Sequence, residues 1–124
     1  MKARAELWMD KPEALDYQAA QDYLSLLLEA KQAAALVVRL RRAPLIRRTA
    51  KDILRASRLP ILPSDSAYVA RDLKKIRKEK SLSPVLLVRG DMRRDTPLVI
   101  ADGYHRICAS WYVDEDAEIP CRMV

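Results

Sequence analysis

Glycine is scarce in this chain, two residues in 124, while Ala, Leu and Arg are abundant, a balance that favours helices. Histidine occurs once and cysteine twice, at Cys108 and Cys121. A zinc site would need both cysteines, His105 and a carboxylate at a spacing that fits no standard zinc motif, so neither zinc nor haem is expected. Long apolar runs are also missing. The most apolar window, Leu24 to Leu40, is broken by Glu29, Lys31 and Arg39, well short of the ~20 uncharged residues of a membrane span. The N-terminus, Met1 to Trp8, holds no signal-peptide hydrophobic region. The expectation is a cytoplasmic protein that contacts no membrane and keeps its cysteines reduced.

What remains is a chain of 50% hydrophobic and 32% charged residues, long enough for one domain with a real core. Its net charge is +6, and the excess is concentrated in two places. Residues 39–58 carry Arg39, Arg41, Arg42, Arg47, Arg48, Lys51, Arg55 and Arg58 against Asp52 alone. Residues 71–80 carry Arg71, Lys74, Lys75, Arg77, Lys78 and Lys80 against Asp72 and Glu79. Such clustering steers a protein toward phosphate-bearing partners, whether nucleotide, DNA or RNA, although charge runs also simply solvate helix faces.

Along the chain, Asp10 to Glu13 resembles a capping box with Pro12 in the first turn, and the apolar spacing that follows predicts a helix from about 12 to 28. Residues 33–42 read as a second helix stopped by Pro44, and Thr49 to Asp52 as the cap of a third that Pro60 ends. Residues 1–58 are thus expected to be a wholly helical N-terminal region of one compact domain. Beyond them the pattern changes to short apolar runs between Pro, Ser, Asp and Gly. It predicts strands at 59–62, 84–88, 98–101 and 119–123, with helices at about 67–80 and 104–113. The fold class is therefore α+β, with N-terminal helices packed on a small mixed sheet.

The chemistry gathers in one hexapeptide, Ala101-Asp102-Gly103-Tyr104-His105-Arg106. A strand that ends in Asp-Gly and opens directly into a helix presents unpaired backbone N–H groups at the positive end of the helix dipole, which is an anion site. Gly103 permits the tight turn and close approach of a ligand. Arg106 offers a planar fork for phosphate oxygens, and His105 can donate to phosphate or move a proton near neutral pH. Asp102 is either the helix N-cap or a ligand to the Mg2+ of a bound nucleotide. Tyr104 and Trp111 can equally be packing residues, and Cys108 a small core residue.

From Leu59 to Val124 the sequence resembles the ParB and sulfiredoxin-like fold, also labelled a ParB-like nuclease domain. The resemblance is carried by a Pro-bounded strand, Asp72-Leu73-Lys74-Lys75-Ile76, Leu82-Ser83-Pro84-Val85-Leu86-Leu87-Val88, Ile100 to Arg106 and a closing Ile119-Pro120. It implies an α/β core over residues 59–124 in which the box, with Gly103, Tyr104, His105 and Arg106, holds nucleotide phosphates. By position in the preceding helix, Arg71 and Lys75 would assist. Sulfiredoxins carry a catalytic Cys immediately before their His-Arg; Tyr104 stands there in this chain, so sulfinic acid reduction is not expected. The Gly-Glu-Arg-Arg box of chromosome-partitioning ParB proteins is also missing here, so the specialised chromosome-partitioning role is not expected.

The resulting expectation is a nucleotide-binding protein, with ATP or CTP and Mg2+ as the implied ligands and nucleotide hydrolysis or phosphoryl transfer, through His105 and Asp102, as the activity the box could support. The alternative is a nucleic-acid-associated accessory protein or a ParB-like nuclease, gripping DNA or RNA backbone through residues 39–58. A third expectation is a homodimer paired along Leu24, Leu27, Leu28, Leu36, Val37 and Leu40. The competing use of that stripe is to cover a sheet face within the same chain.

Overall fold

A computed structural model describes residues 8–124 of the protein. Within them the order is α1 (Ala14–Leu24), α2 (Ala30–Arg42), β1 (Leu45–Thr49), α3 (Ala50–Ser57), α4 (Ala67–Arg77), β2 (Val85–Val88), β3 (Val99–Asp102), α5 (Tyr104–Val113) and β4 (Glu118–Met123), with a 3-10 turn at Met92–Arg94 inside the β2–β3 hairpin. The fold is α+β, helices packed on a four-stranded mixed sheet of order β1-β4-β2-β3. β4 runs parallel to β2 and antiparallel to β1, and β2 and β3 form an antiparallel pair. The expectation for Met1 to Trp8 falls, apart from Trp8, outside the described residues. No described helix is long and apolar enough to cross a membrane.

Successive strand side chains point to opposite faces, and that alternation divides the core in two. Val85, Leu87, Ile100, Ile119 and Cys121 pack with Ile53 and Leu54 of α3, Val69 of α4 and Ile107 and Cys108 of α5. Leu86 and Ala101 face the other way, against Tyr17, Ala20 and Leu24 of α1 and Ala33, Val37 and Leu40 of α2. The sheet is thus sandwiched between two helical layers, and β2, buried on both faces, needs the continuous apolar run it has. Leu24, Val37 and Leu40 of the stripe weighed as a dimer face are spent on the chain's own sheet, whereas Leu27 and Leu28 are exposed.

Two expectations fail. Residues 1–58 are not wholly helical: Leu45–Thr49 is a strand, paired along its length with β4 from Leu45 opposite Arg122 to Thr49 opposite Glu118. Its two arginines are exposed and only Ile46 and Thr49 are half-buried, so the strand is held by a partner 69 to 77 residues away and not by an apolar pattern of its own. Conversely, residues 59–62 form no strand. Pro60 has no N–H to give a ladder, and α5 takes two of the segment's carbonyls: the Tyr104 hydroxyl donates to Pro60 O at 2.5 Å and the Tyr112 hydroxyl to Leu62 O at 2.7 Å. Helix boundaries move less. α1 stops at Leu24, and its capping box forms between Glu13 and Asp16, one turn beyond the expected one. Thr49 caps α3 as expected, accepting from the Asp52 N–H at 3.3 Å.

Candidate functional site

α4 and α5 pack side by side on the sheet, and a pocket of about 200 Å³ opens between them. Tyr68, Arg71 and Asp72 line it from α4; Asp102, Gly103, His105 and Arg106 line it from the end of β3 and the first turn of α5. Gly103 makes the junction possible. Its φ of +110° lies in the left-handed region, and a Cβ there would come within 2.4 Å of Val85 Cγ1. Gly103 itself is the N-cap of α5, and no side chain caps that end, so the first-turn N–H groups are left to solvent or a ligand. Asp102 is therefore not the helix cap.

Asp102 is instead bound to Arg106. The Arg106 guanidinium donates through Nη2 to Asp102 Oδ2 at 2.8 Å and to the Pro84 carbonyl at 3.3 Å, and its Nη1 stands 3.8 Å from Asp16 Oδ1 of α1. Its side chain is only 16% exposed. Burial pushes the Asp102 carboxyl up to about 6; Arg106 opposes that shift and neighbouring Asp16 adds to it. Arg106 is thus committed within the chain, holding two carboxylates from opposite ends of the sequence.

Arg71, Tyr68 and His105 line the rest of the pocket, and the Arg71 side chain is the more exposed of the two arginines. Arg71 lies with its guanidinium carbon 4.8 Å above the Tyr68 ring, and the Tyr68 ring in turn is 5.1 Å from the His105 ring. Stacking of this kind orients a guanidinium without neutralising it. Beside them Asp72 is 1% exposed, yet its Oδ2 has no hydrogen-bond partner and its Oδ1 lies 3.6 Å from Arg71 Nε. A buried carboxylate oxygen without a donor costs free energy, and this one borders the pocket.

Of the residues expected at the site, Asp102, Gly103, His105, Arg106 and Arg71 come together. Tyr104 turns its hydroxyl to Pro60 and packs against the core, and Lys75, one turn beyond Arg71, does not line the pocket. Cys108 is buried, with its thiol pushed up chiefly by burial, as a core residue would be. Sequence reasoning passed over Tyr68, Asp72 and Asp16. The first two were findable, since they fall on the Arg71 side of one helix at spacings of three or four; Asp16, from α1, carried no local signal. Among the described residues no group of three or more His, Cys, Asp or Glu is placed to hold a metal ion. Asp102, the one carboxylate expected to meet a nucleotide's Mg2+, already accepts from Arg106 through Oδ2. Comparison with protein-family models, curated proteins and solved structures gives no match.

Proposed function

We propose that the α4–α5 pocket binds the phosphate end of a nucleotide. The observation that carries the reading is the uncapped start of α5 opening beside a stacked, exposed Arg71: N–H donors, helix dipole and guanidinium favour an anion at one place. The pocket's volume of about 200 Å³ is below the ~300–1,000 Å³ of pockets that enclose a whole small ligand, so it suits a phosphate group with the nucleoside lying outside. His105 adds a donor beside it. The resemblance of residues 59–124 to the ParB and sulfiredoxin-like fold supports the same reading. Hydrolysis or phosphoryl transfer would draw on His105, since Asp102 is engaged with Arg106.

A second reading, nucleic-acid backbone binding through residues 39–58, is favoured by the exposure of all eight of their basic residues. Three of these, Lys51, Arg55 and Arg58, are bridged to Asp116, Asp52 and Asp95, which reduces the charge they offer.

The test is isothermal titration of ATP, CTP, GTP and ADP with Mg2+ at two salt concentrations, comparing wild type with Arg71→Ala and His105→Ala. Micromolar binding weakened at least ~10-fold by Arg71→Ala is the expected result, a loss of about 1.4 kcal/mol. Absence of nucleotide binding, with DNA or RNA bound in a steeply salt-dependent way, would replace this reading with the second.

A further inference from the structure

We propose a second binding site, for an aliphatic anion, in a cavity of about 580 Å³ between α3 and the β2–β3 hairpin. It shares no lining residue with the α4–α5 pocket. Its volume falls within the range of small-molecule sites, ~300–1,000 Å³. The floor is apolar: Ile53 of α3, Leu87 of β2, Leu98 and Met123 of β4 all line it. None of the described residues lining it is aromatic, so it offers no platform on which a base or aromatic ring could stack, and its branched and thioether side chains suit a flexible hydrocarbon.

The charge around this floor selects the head group. Arg48, Arg58 and Arg89 line the cavity against Asp52. Arg58 is taken by Asp95 at 2.6 Å, and Asp52 by Arg55 at 3.1 Å. Arg48 donates only to the neutral carbonyl of Arg47, and neither Arg48 nor Arg89 has an ion-pair partner among the described residues. Two uncompensated guanidinium groups beside a buried hydrocarbon floor are complementary to a carboxylate or phosphate that carries an alkyl chain. The walls are preformed. The Leu98 N–H donates to the Ala56 carbonyl at 3.1 Å, and Arg58 clasps the hairpin through both the carboxylate and the carbonyl of Asp95.

The experiment is a titration of the full chain with sodium octanoate, octyl phosphate, octylamine and 1-octanol, followed in 1H–15N correlation spectra. The expected result is saturable shifts at Ile53, Leu87, Gly90 and Leu98 with the two anions, and affinity at least ~10-fold weaker for the amine and the alcohol. The Arg48→Ala/Arg89→Ala variant, checked for folding by the dispersion of its own spectrum, should lose at least ~10-fold in affinity for the anions. The single variants Arg48→Gln and Arg89→Gln provide the same reading should the double variant unfold. Whichever anion binds more tightly identifies the head group as carboxylate or phosphate. The proposal is overturned by equal binding of octylamine or octanol, by arginine variants that bind as wild type, by shifts gathered at Gly103 to Arg106, or by no saturable shift at all.

Discussion

Asp16 Oδ1 of α1 lies 3.8 Å from Nη1 of Arg106 on α5, a contact that ties the first described helix to the start of the last. The other oxygen of Asp16 accepts from the Glu13 N–H at 2.8 Å, so one carboxylate both closes the box of α1 and flanks the guanidinium. Arg106 answers with Asp102 on its other side. The residue whose type most suggests phosphate binding is thus built into the framework, and the adjoining Arg71 is the better probe of ligand binding.

Arg106→Ala should destabilise the fold by about 3 kcal/mol, because removing one member of a buried ionic group leaves the others facing each other unpaired. Urea unfolding at neutral pH measures this, and a loss below about 1 kcal/mol would mark Arg106 as an ordinary surface residue.

The pH dependence follows from Asp102. Its carboxyl is raised by burial from 3.8 to about 6, so the fold favours the protonated form; the associated stability is fully present below pH 3.8 and is lost as pH rises through about 6. Asp102→Asn should abolish that component, on the order of 3 kcal/mol between those limits. Unfolding free energies of wild type and variant, compared at pH 4 and pH 7, supply the check; parallel curves would contradict the assignment.

Gly103→Ala places a Cβ 2.4 Å from Val85 Cγ1 at a φ of +110°. Strain and overpacking together should cost about 3 kcal/mol, seen as a fall in melting temperature. A melting temperature unchanged from wild type would mean that the β3–α5 junction relaxes freely.

Asp72→Asn removes a negative charge that borders the pocket and stands 3.6 Å from Arg71 Nε. Nucleotide binding should tighten several-fold, because a carboxylate beside an anion site repels the phosphate. Calorimetric titration of wild type and variant tests this; weaker binding by the variant would contradict a phosphate in the pocket.

Tyr104→Phe and Tyr112→Phe each remove one hydroxyl donor to the 59–62 segment and should each cost about 1 kcal/mol. Chemical unfolding of the single and double variants would show whether the two contacts act independently.

The parts of this fold that were legible in sequence are those whose signal is local. Pro44 marks the end of α2 at Arg42, Thr49 caps α3, and the run from Val85 to Val88 is too short and too branched to be anything but a buried strand. The box also announced its strand-to-helix turn through Gly103. What escaped depends on neighbours distant in sequence. β1 looks like an arginine-rich continuation of helices because its strand character comes from β4. Residues 59–62 look like a strand because nothing local reveals that two tyrosines on α5 take their carbonyls. At the site, residue type suggested that Arg106 is a ligand-binding fork, and only Asp16 and Asp102 show what it holds.

The placement of β4 bears on how the chain acquires its structure. This strand, residues 118–123, lies in the middle of the sheet, bonded to β1 on one side and β2 on the other. The Cys121 thiol donates to the Ile46 carbonyl from 75 residues away, across that pairing. During synthesis β1 is made early and must wait, its ladder groups unpaired, until almost the whole described chain has followed. Closing so long a loop is entropically costly and slows folding. A chain interrupted before residue 118 would lose the middle of its sheet, leaving β1 with no strand to join and the β2–β3 hairpin with one bare side open to aggregation.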